Sequence, residues 1–392
     1  MTSMTSIRIN EARVTQILQD LVRIPSVNPN FEGGVPERDM ADYVEAFLSR
    51  LGLASERREV RPDRPNVIGI LPGISADAPG LLLEAHMDTV QIANMTIDPY
   101  GAEIRDGKLY GRGACDTKAS LAAMLAALEW FVENGIKPPV PVYLAATVDE
   151  EVNFLGVLDV LESGHRLAAA VVGEPTGLHA VVAHKGVVRC MIETIGVSAH
   201  SSKPEEGVNA ISGMMKVVHH IDRTMSERLQ GAFHPLVGRP TLSVTEITGG
   251  VAPNTIPERC LIKIDRRTVP GEDSDQVWRE IQEELTRFAQ EDGTLKLIVH
   301  PPFVLDYAMD TSPDSEIVRL VTAKAAEKIG EVRTHGVPYG TDASKLTRVG
   351  IPSVVFGPGS IDQAHTKDEW VELKQVALAA EIIAGTMLAF GK

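Results

Sequence analysis

Cysteine is scarce in this sequence, and the three residues present are Cys115, Cys190 and Cys260. An odd number of widely spaced thiols forms no disulfide framework, and no pair has the spacing of a zinc site. The sequence also lacks any apolar run near the roughly 18 residues that a membrane-spanning helix requires. Because residues 1–11 are polar and contain no apolar signal core, we expect a cytoplasmic chain without a membrane partner.

Basic side chains are outnumbered by acidic ones, 38 to 53, which gives a net charge of −15 at pH 7. This balance argues against nucleic acid or an anionic membrane as a partner. Hydrophobic residues make up 44% of the chain and charged residues 23%, as in a soluble globular protein. A length of 392 residues exceeds that of one ordinary domain, so we expect two domains.

Two parts of the chain, residues 1–183 and 302–392, show alternating helix and strand patterns. Short apolar runs bounded by turn residues predict buried strands of an α/β sheet at Gly80–Ala85, Pro141–Thr147, Ala168–Val172 and Ser353–Phe356. Apolar residues at helical spacing predict helices at Glu11–Arg23, Glu37–Leu51, Thr117–Asn134, Ser315–Ile329 and Leu373–Phe390. We expect Asp116 or Thr117 to cap the helix that follows them.

The pattern changes between residues 184 and 301. Strands are predicted at Val187–Ile195, Thr241–Ile247, Arg259–Thr268 and Leu295–His300, and helices at 208–225 and Ser274–Asp292. The order β-α-β-β-α-β is that of the split, ferredoxin-like arrangement. The simplest interpretation is one α/β domain (1–183 and 302–392) interrupted by a smaller α+β insert (184–301).

Acidic and histidine side chains follow several of the predicted strands. They are His86 with Asp88, Asp116, Glu150 with Glu151, Glu174, and His365. In open α/β sheets ligands bind beyond the carboxyl ends of the strands, so we expect these side chains at one edge. Carboxylate oxygens and imidazole nitrogens without a thiolate suit zinc, cobalt or manganese.

Each of these acidic and histidine motifs, taken alone, has a common structural explanation that involves no metal. A His-x-Asp triplet such as His86 to Asp88 is commonly a surface or capping pair, and Glu150-Glu151 resembles a solvated turn. Their combination is more specific, because acidic groups that converge on one sheet edge repel one another unless a cation lies among them. The residues alone therefore favour a metal site.

The surrounding motifs form a specific set. They are Glu84-Ala-His-Met-Asp-Thr-Val90, Asp106-Gly-Lys-Leu-Tyr-Gly-Arg-Gly-Ala-Cys-Asp-Thr-Lys118, Thr147-Val-Asp-Glu-Glu151, Gly173-Glu-Pro-Thr176 and Gly357-Pro-Gly-Ser-Ile-Asp-Gln-Ala-His-Thr-Lys-Asp-Glu369. Over nearly the whole chain the sequence resembles the zinc amidohydrolases that include acetylornithine deacetylase, succinyl-diaminopimelate desuccinylase, aminoacylase and carboxypeptidase G. That family usually has Asp-Met-Lys where this chain has Asp116-Thr-Lys118, which leaves the ligand intact. The resemblance implies an α/β, zinc-exopeptidase-like catalytic domain with an inserted lid and dimerisation domain.

The same resemblance implies a cofactor of two divalent metal ions, zinc in the first place and cobalt as the alternative. Asp116 would bridge the two ions. His86 and Glu174 would complete one site, and Glu151 with His365 would complete the other. Two ions roughly 3.5–4 Å apart can hold a bridging hydroxide and polarise the carbonyl of an amide substrate.

Two further residues take catalytic roles by resemblance. Asp88 would orient His86 through the second ring nitrogen without contacting metal. Glu150 would be the general acid/base, which takes a proton from the attacking water and returns it to the departing amine. Adjacent glutamates can divide the two roles if the backbone turns sharply between them.

The insert contributes residues by the same resemblance. In Gly196-Val-Ser-Ala-His-Ser-Ser202, His200 would reach the active site of a partner subunit and donate to the oxyanion of the tetrahedral intermediate, which implies a homodimer formed through the insert. Arg267 would clamp a substrate carboxylate with help from Asn254, and Thr341 would line the pocket. From the sequence alone, His200 is better explained as a cap of the following helical region, and Arg267 as a solvent-facing side chain.

The segments around Gly357, His184 and His200 are most similar to acetylornithine deacetylases. We therefore expect removal of an N-acyl group, acetyl in the first place, from a small amino acid, as in arginine biosynthesis. A desuccinylase or a glutamate-type carboxypeptidase or dipeptidase is the alternative with the same chemistry.

Two classes of protein with different chemistry are disfavoured. A metallophosphoesterase is disfavoured because the sequence contains no Gly-Asn-His-Glu. A non-catalytic metal-binding homologue is disfavoured because Glu150 accompanies a complete ligand set.

Overall fold

The computed structural model describes residues 7–392, and their packing divides the chain into two compact units. The first unit comprises the described residues up to Val182, together with Thr311–His335 and Thr341–Lys392. The second comprises Ala183–Asp310 and Gly336–Gly340. It therefore continues beyond residue 301, the predicted end of the insert, because Val304–Asp306 still pairs with the strand Gly186–Ile195 of this unit. Among residues 7–392, no helix is both long and apolar enough to cross a membrane.

The helices are α1 Glu11–Arg23, α2 Arg38–Arg50, α3 Lys118–Glu133, α4 Leu155–Leu161, α5 Ala210–His220, α6 Ser226–Arg228, α7 Ser274–Asp292, α8 Glu316–Ile329, α9 Ala343–Arg348 and α10 Leu373–Ala389. The strands are β1 Ala54–Arg61, β2 Arg64–Leu71, β3 Gly80–His86, β4 Glu103–Arg105, β5 Lys108–Tyr110, β6 Val142–Thr147, β7 Leu167–Val172, β8 Ala180–His184, β9 Gly186–Ile195, β10 Ala199–His200, β11 Thr241–Gly249, β12 Thr255–Ile256, β13 Arg259–Thr268, β14 Lys296–Val299, β15 Val304–Asp306, β16 Met309–Asp310, β17 Thr334–Val337, β18 Ser353–Val355 and β19 Trp370–Glu372.

Strand β3 runs along the middle of the sheet in the first unit, parallel to β6 on one side and to β7 on the other. The strand order there is β1-β2-β6-β3-β7-β18-β8, in which β18 is also parallel to β7. All 7 residues of β3 are buried, as expected for a parallel strand in a sheet covered by helices. The mixed α/β fold that the sequence predicted is confirmed.

Helix α3 is buried along almost its whole length and packs against α1 and α10. Its apolar residues surround the helix, which is typical of a helix inside a large core. The predicted cap is wrong, because the side chain of Thr117 makes no hydrogen bond to the helix. Its hydroxyl donates instead to the carbonyl of Gly173, 2.7 Å away, and so joins the start of α3 to the segment after β7. Asp116 precedes the cap position, and its oxygens face two histidines.

The second unit contains an antiparallel sheet in the order β11-β13-β9-β14, with β15 also paired to β9. Helices α5 and α7 pack on this sheet around a separate apolar core that includes Ile192, Met214 and Leu285. Asn209 accepts the N–H of Ser212 and caps α5, so the helix begins two residues after the predicted start at 208. The helical path continues as a π-helical turn over Ile221–Met225.

Candidate metal centre

Parallel pairing in the first unit brings the carboxyl ends of three strands to one edge. His86 is the last residue of β3 and lies beside Thr147, the last residue of β6. Glu84 lies beside Val172, the last residue of β7. The turn with Glu150 and Glu151 follows β6, and Glu174 follows β7. The register of the sheet therefore collects the predicted ligands of three separate motifs.

Asp116 occupies the middle of this group. Its Oδ1 lies 3.1 Å from Nε2 of His86, and its Oδ2 lies 3.2 Å from Nε2 of His365. The two oxygens of one carboxylate thus face two different histidines. Asp116 is therefore the carboxylate that connects the two histidines, and its role as a bridge between two ions remains a prediction.

The glutamates complete two groups around these histidines. His86, Asp116 and Glu151 form one set of possible ligand atoms that lie within 4.8 Å of one another, and His86, Glu150 and Glu174 form a second. His365 joins the first set through Oε1 of Glu151, 3.3 Å from its Nε2. Geometry alone therefore admits Glu150 as a ligand as readily as Glu174, and the division into ligand and base comes from the resemblance.

Crowding of buried acids governs the electrostatics of this centre. Burial, followed by repulsion from neighbouring carboxylates, raises the pKa of Glu174 well above its ordinary value. Burial likewise raises the pKa of Glu150 well above its ordinary value, although His86 counteracts it. Burial also disfavours ionised Asp116, but hydrogen bonds from His365 and His86 outweigh it and lower the pKa of this carboxyl. A cation among these groups would relieve the repulsion that adds to burial in raising these pKa values.

The residues fit a pair of hard or borderline divalent ions. The available donors are carboxylate oxygens and imidazole nitrogens, which suit zinc, cobalt or manganese. Oε1 of Glu151 is buried and makes no hydrogen bond within the part of the chain that the structure describes, and Nε2 of His365 lies 3.3 Å from it. The nearby thiol of Cys115 faces the carbonyl of Ser360 at 3.4 Å, burial raises its pKa, and it belongs to neither group of possible ligand atoms.

Asp88 supports the turn that carries both glutamates. Its Oδ1 accepts the backbone N–H of Glu150 at 3.1 Å, and its Oδ2 accepts that of Glu151 at 3.2 Å. Nδ1 of His86 contacts the backbone carbonyl of Asp88 at 2.9 Å, while the carboxylate is 3.6 Å away. The second ring nitrogen of His86 thus lies closer to the backbone carbonyl of Asp88 than to its carboxylate, which accepts the two amides, and the orienting role of Asp88 stays a prediction.

A buried network behind Asp88 was missed by the sequence analysis. Nδ2 of Asn28 donates to Oδ2 of Asp88 at 2.7 Å and to Oδ1 of Asp149 at 2.9 Å. Arg64 donates to that same oxygen of Asp149 at 2.9 Å and binds Glu37 with two hydrogen bonds of 2.7 Å. These residues lie in separate segments without a shared motif, so only the tertiary structure reveals their connection.

The predicted residues of the insert lie in the second unit. Nδ1 of His200 is 2.7 Å from Oγ of Ser202 and also accepts the N–H of Ser202 at 3.2 Å, just before a short 3-10 turn. The N–H of Ser201 donates to the carbonyl of Asn254 at 2.9 Å, which brings His200 and Asn254 onto neighbouring segments. Arg267 donates to Asp265 at 2.7 and 3.3 Å.

Thr341 belongs to the first unit and is fully buried. Its hydroxyl accepts the N–H of Ala343 at 3.3 Å, at the start of α9. In this conformation the side chain stabilises the beginning of that helix. A role in lining the substrate pocket remains a prediction.

Comparison with known proteins identifies relatives over most of the chain. Residues 82–389 match the sequence pattern of Peptidase family M20/M25/M40. The chain is 32% identical over 368 residues to an acetylornithine deacetylase of Myxococcus xanthus, covering 91% of this chain and 93% of the relative. An acetylornithine deacetylase of Salmonella paratyphi B is 32% identical over 377 residues, covering 94% and 95%.

Solved structures share the fold. An aminopeptidase PepT from Bacillus cereus superimposes with a TM-score of 0.79 at 21% identity, covering 98% of this chain and 100% of the other. A dinuclear metal-binding peptidase of the M20 family from Bacillus subtilis superimposes with a TM-score of 0.70 at 17% identity, covering 96% and 97%. At these identities the likeness concerns the fold alone.

Proposed function

The chain belongs to peptidase family M20/M25/M40, and on this basis we propose that it is a dinuclear-metal hydrolase that removes an N-acyl group from a small amino acid. Acetyl is the favoured acyl group and ornithine the favoured amino acid, which would place the reaction in arginine biosynthesis. The names of the relatives at 32% identity support this choice. Zinc is the favoured metal, with cobalt as the alternative.

One observation carries the chemical part of the proposal. The two oxygens of Asp116 face His86 and His365, at 3.1 and 3.2 Å from their Nε2 atoms. The surrounding glutamates extend this arrangement to two groups of possible ligand atoms, one with Asp116 and Glu151 and the other with Glu150 and Glu174. When bound, a pair of divalent ions supplies Lewis acidity that polarises an amide carbonyl and makes water a nucleophile at neutral pH.

Glu150 would move the proton in this reaction. Its Oε2 lies 3.9 Å from Nε2 of His86, so its carboxylate borders the space between the ligands. Burial raises its pKa well above the ordinary value, toward the pH range in which a carboxyl group both accepts and donates protons efficiently. The residue would accept a proton from water and return it to the nitrogen of the departing amine.

The inserted residues would serve the substrate. His200 would donate from Nε2 to the oxyanion in the active site of a partner subunit, since Ser202 engages its Nδ1. Arg267 would bind the substrate carboxylate with those N–H groups that Asp265 leaves available, and Asn254 would assist. A homodimer through the second unit follows from a role of His200 in trans. The exposed edge strand β11, with Ile247 58% exposed, supports an interface there.

The experiment that tests this function measures amine release from a panel of substrates. The panel contains N-acetylornithine, other N-acetyl amino acids, N-succinyl-diaminopimelate and a glutamate-terminated dipeptide, each with zinc or cobalt. Glu150→Gln removes the proposed base, and Glu133→Gln is the matched control because Glu133 is exposed. We expect metal-dependent release, fastest with N-acetylornithine, that Glu150→Gln lowers about 10²–10⁴-fold.

The other results are equally informative. A preference for the succinyl compound or the dipeptide would keep the mechanism and replace the substrate. Two bound metal ions without turnover of any member would indicate a different amide or a non-catalytic homologue. Failure to bind metal would contradict the central claim.

A further inference from the structure

We propose that Arg112 and Glu369 form a positioning pair that holds the ligand segments of the candidate metal centre at their working separation. The inference deepens the proposed function and rests on it. Both side chains are buried, and Nη1 of Arg112 donates to Oε2 of Glu369 at 2.5 Å. Neither residue is among the proposed ligands or catalytic groups.

Glu369 fixes the backbone of the shared ligand. Its Oε1 accepts the N–H of Asp116 at 3.0 Å and that of Cys115 at 2.8 Å. Its own backbone carbonyl accepts the N–H of Gly111 at 3.0 Å. A single glutamate directly before β19 therefore fixes the chain at Gly111, Cys115 and Asp116, and with it the position of the Asp116 carboxylate.

Arg112 connects that path to the segments of both histidines. Its Nη2 donates to the carbonyl of Gln91 at 2.9 Å, on the loop that follows β3 and His86. The same nitrogen lies 3.4 Å from the carbonyl of Thr366, which directly follows His365. One guanidinium thus contacts the loops of His86 and His365, while its partner Glu369 holds Asp116.

A positioning role explains why this ion pair is buried, whereas a contribution to stability does not. Removing two charges from water costs about as much as their attraction returns, so a buried ion pair contributes little net stability. All the other hydrogen bonds of the two side chains are made to backbone groups of segments that carry a proposed ligand, or of the turn before Asp116. Residues that orient metal ligands from behind typically change metal affinity about 10–100-fold when replaced.

The test compares metal binding by the full chain in four forms: wild type, Arg112→Lys, Glu369→Gln and Arg13→Lys. Lysine keeps the charge of Arg112, but its single nitrogen cannot span the acceptors on Glu369, Gln91 and Thr366. Glutamine keeps the shape of Glu369 but removes its charge. Arg13 is the control because it forms a two-bond pair with Glu129, at 2.8 Å each, between α1 and α3. Zinc affinity is measured by calorimetry after chelation, cobalt geometry by visible absorption, and thermal unfolding without metal.

We expect Arg112→Lys and Glu369→Gln to bind one of two ions about 10–100-fold more weakly, with a changed cobalt spectrum. Both variants should still fold without metal, at a midpoint below that of Arg13→Lys because a buried charge is left without its partner, and Arg13→Lys should bind both ions as the wild type does. Wild-type affinity and spectrum in both variants would overturn the inference and leave the proposed function intact. Loss of folding in both variants would assign the pair to the fold and overturn it as well. A wild type that binds no metal would overturn the proposed function and this inference together.

Discussion

The carboxylate of Asp88 accepts the backbone N–H of Glu150 at 3.1 Å, and its second oxygen accepts the next N–H along the chain, that of Glu151, at 3.2 Å. Burial raises the pKa of Asp88, but contacts with His86 and Asn28 outweigh burial and lower it. The group is therefore an ionised acceptor at neutral pH. It links the segment of His86 to the turn in which one glutamate is a proposed ligand and the other a proposed base.

Replacement of Asp88 by asparagine should misplace this turn. Asparagine offers one oxygen instead of two, and its NH₂ group would face the N–H of Glu150 or Glu151. We expect kcat to fall about 10–100-fold with a smaller change in KM, because the base moves while the substrate contacts stay in place. Steady-state kinetics on the substrate that the panel selects will check this.

A matched control for that variant is Asp39→Asn, since Asp39 is exposed. Its kinetics should equal those of the wild type. Unchanged kcat in Asp88→Asn would show that the two amide contacts are dispensable and that Asp88 does not position Glu150.

The second prediction concerns the stability of the network behind Asp88. Arg64 is buried and neutralises both Glu37 and Asp149, so Arg64→Met would leave two buried carboxylates without their partner. We expect the free energy of unfolding to fall by about 3–5 kcal/mol, measured by urea denaturation of the metal-free protein. Arg57→Met removes a more exposed pair with Asp42 and should cost less than about 1 kcal/mol. Similar losses in the two variants would contradict the proposed importance of burial.

Elements with strong local patterns were predictable from the sequence. The bounds of α1, α7 and β13 agree with the predicted segments Glu11–Arg23, Ser274–Asp292 and Arg259–Thr268. Their apolar residues recur at helical or alternate spacing, and Asn10 and Asp273 cap the two helices. Short or polar strands gave no such signal. The exposed β4 and the two-residue β10 exist because of their pairing partners rather than their own sequence.

The motifs of His86, Glu151 and Glu174 were predictable because each follows a buried strand, and parallel pairing brings such positions together. The supporting residues were not. Asn28 contacts Asp88 across 60 positions of the chain, and Arg112 contacts Glu369 across 257. Contacts over such separations leave no periodicity or local spacing in the sequence, so they appear only when the chain is folded.

The third prediction separates the roles of the adjacent glutamates. If Glu151 is a ligand and Glu150 the base, Glu151→Gln should weaken binding of one ion by at least about tenfold. Glu150→Gln should retain two ions and lose turnover. Metal content after dialysis at limiting zinc, measured by atomic emission, distinguishes them. Loss of an ion from Glu150→Gln instead would favour the alternative group of His86, Glu150 and Glu174 as ligands.

The last prediction concerns protons released when metal binds. Burial lowers the pKa of His365, but its contacts with the carboxylates of Asp116 and Glu151 outweigh burial and raise the pKa to about 11 in the metal-free protein. Because this value exceeds the ordinary 6.5, the protonated ring stabilises the folded, metal-free state fully below about pH 6.5, and the contribution is lost as pH rises through about 11. A metal ion needs the neutral ring, so binding at about pH 8 must expel this proton.

Calorimetric titration with zinc in buffers of different ionisation enthalpy tests this release. The wild type should release about one proton more than His365→Gln, and its affinity for zinc should increase with pH. Equal proton release by the two proteins would mean that His365 is already neutral, or that it does not bind the metal.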